Sequence, residues 1–155
     1  MTAAVIVALR IGVPPGVAFT AFTRDIGMWW KSHPLFQLSR KGDGVLRFDP
    51  AGPGGRLVTC FDDGKEWEIG PVRHWLPGER LAFGWRLPSF KADQTTEVDV
   101  RFEAVGDETR VTVEHRGWDA IPQKHVARHG FELMLFQRRL GEYWRGLLKE
   151  MEAGL

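Results

Sequence analysis

The chain has 155 residues, enough for one domain with a hydrophobic core. Lys and Arg number 21 against 20 Asp and Glu, a formal net charge of +1, which excludes the strongly cationic surface that draws in nucleic acid or an anionic membrane. The single cysteine, Cys60, excludes an internal disulfide and reads as a buried, inert thiol in a reducing compartment, so the expected location is cytoplasmic.

The opening MTAAVIVALRIGVPP carries an apolar run that is short, follows no basic residue and is broken by Arg10. It is read as a strand over 3–11, not as a signal peptide, with Val5, Val7, Leu9 and Ile11 on one side. Pro14-Pro15-Gly16 stops it. Residues 15–23 form a short helix with Val17, Ala18, Ala21 and Phe22 as its buried side, and 24–30 a second one ending at Trp29-Trp30.

From there the pattern changes to strands and tight turns. A strand over 44–48 leads to a Gly/Pro loop over 49–55 and a strand over 56–61, which turns at Asp62-Asp63-Gly64. The next strand, 65–75, bends at Gly70-Pro71, which leaves open whether Arg73 or His74 points inward. After Pro77-Gly78, a strand over 79–87 carries Leu81, Phe83, Trp85 and Leu87 on one face. A polar loop over 88–94 follows. In 95–105, Val98, Val100 and Phe102 face inward against Glu97, Asp99, Arg101 and Glu103. In 108–117, Val111, Val113 and His115 face inward against Arg110, Thr112 and Glu114. Such alternation marks antiparallel strands with one wet face.

The last element is a long helical pattern over 123–151. Val126, Gly130, Leu133, Met134, Leu140, Gly141, Trp144, Leu147, Leu148 and Met151 make one apolar stripe. Arg128, Glu132, Arg138, Arg139, Glu142, Arg145 and Lys149 take the other side. At 1.5 Å per residue the helix spans roughly 40 Å. A stripe of that length needs a broad apolar surface. The expected fold is therefore α+β: a curved antiparallel sheet of about six to seven strands wrapped around a long C-terminal helix, with two short helices after the first strand. One domain is expected over residues 1–155, with no run long enough to span a membrane.

Several motifs are tested and set aside. His125 and His129 stand four apart, as in a zinc-protease helix, but Val126 holds the place of the general base and no third ligand is evident. No metal site and no cofactor are expected. Gly52-Pro53-Gly54-Gly55 precedes a strand and lacks the Lys-Ser/Thr pair of a phosphate loop. No serine sits in a nucleophile elbow, and Cys60 has no base near it in sequence.

Other residues stay open between packing and a pocket. His115 on an inner face must find a partner or water, either as a hydrogen-bonded core histidine or as a pocket group that orients a ligand or moves a proton. Gly130 and Gly141 in the helix, with Met134 and the polar Gln137 near them, fit either close helix–sheet contact or a cavity beneath the helix. Trp30, Trp67, Phe83 and Trp85 are core residues or pocket walls. These nine are the candidate ligand-binding residues: Trp30, Trp67, Phe83, Trp85, His115, Gly130, Met134, Gln137 and Gly141.

In layout and short signatures the whole chain resembles the SRPBCC (START-like) superfamily, the helix-grip fold of the birch-pollen allergen. Within it, the chain is most similar to the branch homologous to the C-terminal domain of the heat-shock-protein-90 ATPase activator. Pro14-Pro15-Gly16-Val17-Ala18-Phe19, Trp29-Trp30, Gly54-Gly55-Arg56, Gly70-Pro71-Val72, the run Pro77 to Phe83 with Trp85, and Glu108 to Val113 with His115 carry the resemblance in order. Phe131 departs from the branch, which often has Trp after that glycine. The resemblance implies a deep hydrophobic cavity between the sheet and the final helix, in members that bind lipids, sterols, polyketides or other small apolar molecules. Some members are cyclases or hydrolases. Co-chaperone activity belongs to eukaryotic members with an added N-terminal domain, no counterpart of which is read here.

The leading expectation is a module that binds a small, largely apolar ligand such as a lipid or polyketide in that cavity, without catalysis. The alternatives are a cyclase- or hydrolase-type enzyme with His115 as acid–base residue, and a chaperone-ATPase activator. The expected partner is a small apolar molecule, not nucleic acid and not a membrane by stable insertion. A chaperone is the less favoured partner, and the reading leaves room for a homodimer.

Overall fold

A computed structural model describes residues 4–31, 33, 44–87, 89–122 and 124–155, and of Val126 only the backbone. The strands are β1 (Ala4–Ile11), β2 (Val45–Asp49), β3 (Arg56–Cys60), β4 (Glu66–Leu76), β5 (Arg80–Trp85), β6 (Thr96–Val105) and β7 (Glu108–Arg116). The helices are α1 (Pro15–Thr23), α2 (Ile26–Trp29) and α3 (Leu133–Ala153). The strands form one antiparallel sheet in the order β1-β7-β6-β5-β4-β3-β2. The first strand thus closes the chain's meander by pairing with the last, and α3 lies along β1 and meets α2. This is the α+β arrangement expected from the sequence.

The inner faces follow the two-residue alternation. Val5, Val7 and Ile11, then Leu81, Phe83 and Trp85, Val98, Val100 and Phe102, and Val111, Val113 and His115 are all buried. The long strand β4 serves two neighbours by bending. Its first half pairs with β3 and its second with β5, with an irregularity at Ile69 and another at Arg73. The bend needs glycine at position 70, where a Cβ would overlap the Gly84 carbonyl oxygen. Arg73 and His74 are both exposed, so neither points inward.

Four expectations are corrected. The final helix begins at Leu133, not at 123, because His129 (φ 51°) and Gly130 (φ 74°) take left-handed backbone conformations that no right-handed helix admits. Residues 126–128 form a separate 3₁₀ turn, and α3 is about 31 Å long, not 40. On α1, Val17 is exposed and Phe19 is buried instead, its ring edge-on to Trp75 at 5.4 Å and Phe102 at 5.3 Å. Asp99, assigned to the wet face of β6, is 4% exposed because Arg80 reaches over it with bonds of 3.1 and 2.6 Å. Burial pushes this carboxyl up, but the Arg80 hydrogen bond and the charges of Arg80, Arg101 and Arg116 hold it below the ordinary carboxylate range. Finally, Cys60 is a free, half-buried thiol, less enclosed than expected.

Candidate functional site

α3 presents two working faces. Phe136, Leu140, Trp144, Leu147, Leu148 and Met151 recur at three- and four-residue intervals and are buried. A would-be Cβ on Gly141 meets Val5 Cγ1 at 3.4 Å and Val7 Cγ2 at 3.9 Å, so the missing side chain brings α3 close to β1.

Beneath this face the interior is aromatic. Trp144 faces Trp85 at 5.8 Å and Trp30 at 5.2 Å between ring centroids, and Trp118 lies 4.6 Å from Phe136. His115 sits among them, fully buried, with each ring nitrogen engaged. The Trp144 indole, a donor only, gives its N–H to Nδ1 at 3.1 Å, so the ring proton is on Nε2. Nε2–H then donates to Thr96 Oγ1 at 2.8 Å, whose own hydroxyl donates to the Trp85 carbonyl at 3.0 Å. Burial lowers the His115 pKa from its ordinary 6.5 to about 3. The imidazole is therefore neutral at physiological pH, closed in a satisfied chain, with no nitrogen left to exchange a proton with a substrate.

Four indole N–H groups in this interior, those of Trp30, Trp67, Trp85 and Trp118, are buried without an acceptor among the described residues. Three of these four tryptophans were nominated from the sequence. Phe83 is wholly buried, with Phe48 at 5.5 Å, and Gln137 is half-buried on α3. Gly130 and Met134 stand apart: Gly130 is exposed in the turn before α3, and Met134 is 79% exposed on its first turn, off the buried stripe.

The second face of α3 borders an open groove of about 480 Å3. Arg139, Glu142, Tyr143, Gly146, Leu147 and Glu150 form its helical side, and Lys31, His33 and Phe131 its other. Tyr143 is held in place by its hydroxyl, which donates to the Lys31 carbonyl at 2.6 Å. Its ring meets His33 at 5.5 Å and Trp30 at 6.3 Å, so Trp30 joins the groove to the aromatic interior. Phe131 is positioned by Arg128, whose guanidinium is buried by the loop and donates to the carbonyls of Ile121 (2.8 Å) and Phe131 (2.7 Å) while lying over the Phe136 ring. Burial lowers the Arg128 pKa.

The groove lies on the flank of α3, whereas the expected cavity lay between helix and sheet. None of the nine nominated residues is among the described residues that line it. A signal was present in the sequence. Arg139, Tyr143, Gly146, Leu147 and Glu150 share helical spacing, Tyr143 is the only tyrosine, and Gly146 interrupts a helix interior where alanine is the better helix former.

His125 and His129 do not form a pair. His125 donates from Nε2 to the Ser89 carbonyl at 3.0 Å and accepts the Ala127 N–H at Nδ1, while His129 lies in the left-handed turn. Among the described residues no group of three or more His, Cys, Asp or Glu could hold a metal ion, and no helix is long and apolar enough to cross a membrane.

A curved seven-stranded antiparallel sheet gripping a terminal helix, with two short helices after its first strand, defines the helix-grip class. Within it, the chain belongs to the family described as Activator of Hsp90 ATPase homolog 1-like protein, whose profile matches residues 13–145. The chain is similar to the Aha1 dimer from Colwellia psychrerythraea, with a TM-score of 0.64 and 18% identity over 99% of this chain and 96% of that one. It is also similar to an Hsp90 activator from Plasmodium falciparum, with a TM-score of 0.61 and 20% identity over 97% and 94% of the two chains. CalU16 from Micromonospora echinospora gives 0.54 and 19% over 98% and 85%. At such identities the likeness is one of fold. No curated protein matches the sequence.

Proposed function

We propose that this chain binds a small, largely apolar molecule in the groove along α3, with Trp30 as the bridge to the aromatic interior. The observation that carries the reading is the groove itself. Its volume of about 480 Å3 falls within the roughly 300–1,000 Å3 of small-molecule sites, and Phe131, Tyr143 and Leu147 give it apolar walls beside a few polar groups. The buried indole N–H of Trp30, which has no acceptor among the described residues, supports the same reading, since a ligand acceptor is the kind of group that relieves such a donor. Trp85 backs Trp30 from within the core at 5.3 Å between ring centroids. A lipid tail or a polyketide-like ring system suits these walls. His115 is assigned no catalytic role in this reading, because its closed hydrogen-bond chain argues for packing over proton transfer.

The test is titration with N-phenyl-1-naphthylamine, an uncharged probe that brightens in apolar surroundings. The reading expects saturable enhancement that is lost when a bulky side chain is placed at position 146. Enhancement that never saturates, or that survives the substitution, contradicts it. Family membership supports a second reading, stimulation of a chaperone ATPase. Its test is the ATPase rate of purified Hsp90 with increasing amounts of this protein. A concentration-dependent rise supports it, and an unchanged rate dismisses it.

A further inference from the structure

Resting on the groove reading above, we infer that the groove's ligand is an uncharged, planar molecule of two or three fused rings, seated over Gly146. Charge comes first. Among the described residues that line the groove, the one lysine and the one arginine are each already matched: Lys31 Nζ with Glu150 at 3.3 Å, and Arg139 with Glu142 at 3.6 Å. Over Lys31, Arg139, Glu142 and Glu150 the formal charges sum to zero. An anion or a cation entering here must break an existing pair or lie against the apolar floor without a partner, at a desolvation cost.

Shape follows from the floor. Gly146 sits in the interior of α3 without a left-handed φ, and a Cβ built on it meets none of the described residues within 4 Å. Among the described residues, neither backbone conformation nor packing calls for glycine there, in contrast to Gly141 against β1. What the missing side chain does leave is a step without side-chain relief beside Tyr143 and Leu147, in a groove that Phe131 and His33 also line. Aromatic rings beside a smooth floor favour a planar body that can lie offset against them.

Size follows from the helix rise. The two ion pairs border the floor at Glu142 and Glu150, eight residues apart, which is about 12 Å along the axis. Two or three fused rings fill that length between the pairs without displacing either.

The experiment compares four probes by calorimetry at pH 7 on the full chain: 2-naphthol, 2-naphthoate, 2-naphthylmethylammonium and the puckered decahydro-2-naphthol. The inference expects saturable binding of 2-naphthol, with the other three at least tenfold weaker. It expects Gly146→Leu to weaken 2-naphthol at least tenfold while the circular dichroism spectrum and unfolding temperature are kept. Tyr143→Ala, which removes the wall instead of filling the step, is expected to weaken it as well. A charged probe that binds as tightly as 2-naphthol overturns the uncharged class, and equal binding of the decahydro compound overturns planarity, while both leave the groove as the site. Full affinity in both variants overturns the location. Failure of all four probes to bind removes the groove reading together with this inference.

Discussion

Both nitrogens of His115 are spent inside the protein, one accepting from Trp144 and one donating to Thr96. That arrangement has a measurable consequence. The folded ring stays neutral down to a pKa of about 3, whereas in the unfolded chain it titrates near 6.5. Between those values the unfolded state binds the extra proton, so this residue's contribution to stability is complete above about pH 6.5 and is lost as pH falls towards 3. The expected loss between pH 7 and pH 5 from this group is about 2 kcal/mol in urea unfolding. His115→Gln is expected to be less stable at pH 7 and to lack that slope; an identical pH profile in the variant contradicts the assignment. The inward position of His115 was legible from two-residue alternation. Its partners were not, because Thr96 and Trp144 come from other elements and meet it only after folding.

At the scale of elements, strands were read more closely than helices. The sequence alternates in β1, β5, β6 and β7, and a one-residue slip would expose a whole apolar face, so their inward sides follow from the pattern even though Ala82 and Asp99 on the other face are also buried. The start of α3 was misplaced because apolar residues at Val126, Gly130 and Leu133 extend its period backwards. Periodicity registers side chains and is blind to the two positive φ angles at His129 and Gly130 that end it. The groove was missed for a related reason. The helix's apolar stripe picks out Gly141, which packs on β1, and passes over Gly146, which meets none of the described residues. These two glycines separate packing from vacancy. Gly146→Ala is expected to raise stability by about 1 kcal/mol through helix propensity alone, and Gly146→Leu to be tolerated. Gly141→Leu, driven into Val5 and Val7, is expected to cost about 1–3 kcal/mol. Equal effects at the two positions in thermal or urea unfolding contradict this division of the helix.

For the whole molecule, α3 sits over the β1 side of the sheet with its stripe closed by tryptophan, phenylalanine and leucine, while its flank borders open space beside Lys31 and Phe131. The fold and its family were readable in the ordered signatures along the chain, since they mark where helices start and end and where strands enter and turn. The position of the pocket was not, because it depends on how far the rings of Trp30, Trp85, Trp118 and Trp144 fill the concave side, a quantity set by packing in three dimensions. The most direct measurement is a two-dimensional amide NMR titration of the full chain with 2-naphthol. Saturable shifts centred on Lys31, Phe131, Tyr143, Gly146 and Leu147 are the result predicted for a ligand site on the flank of α3. Shifts centred on Trp67 and β3, or no saturable shift at any amide, would contradict it.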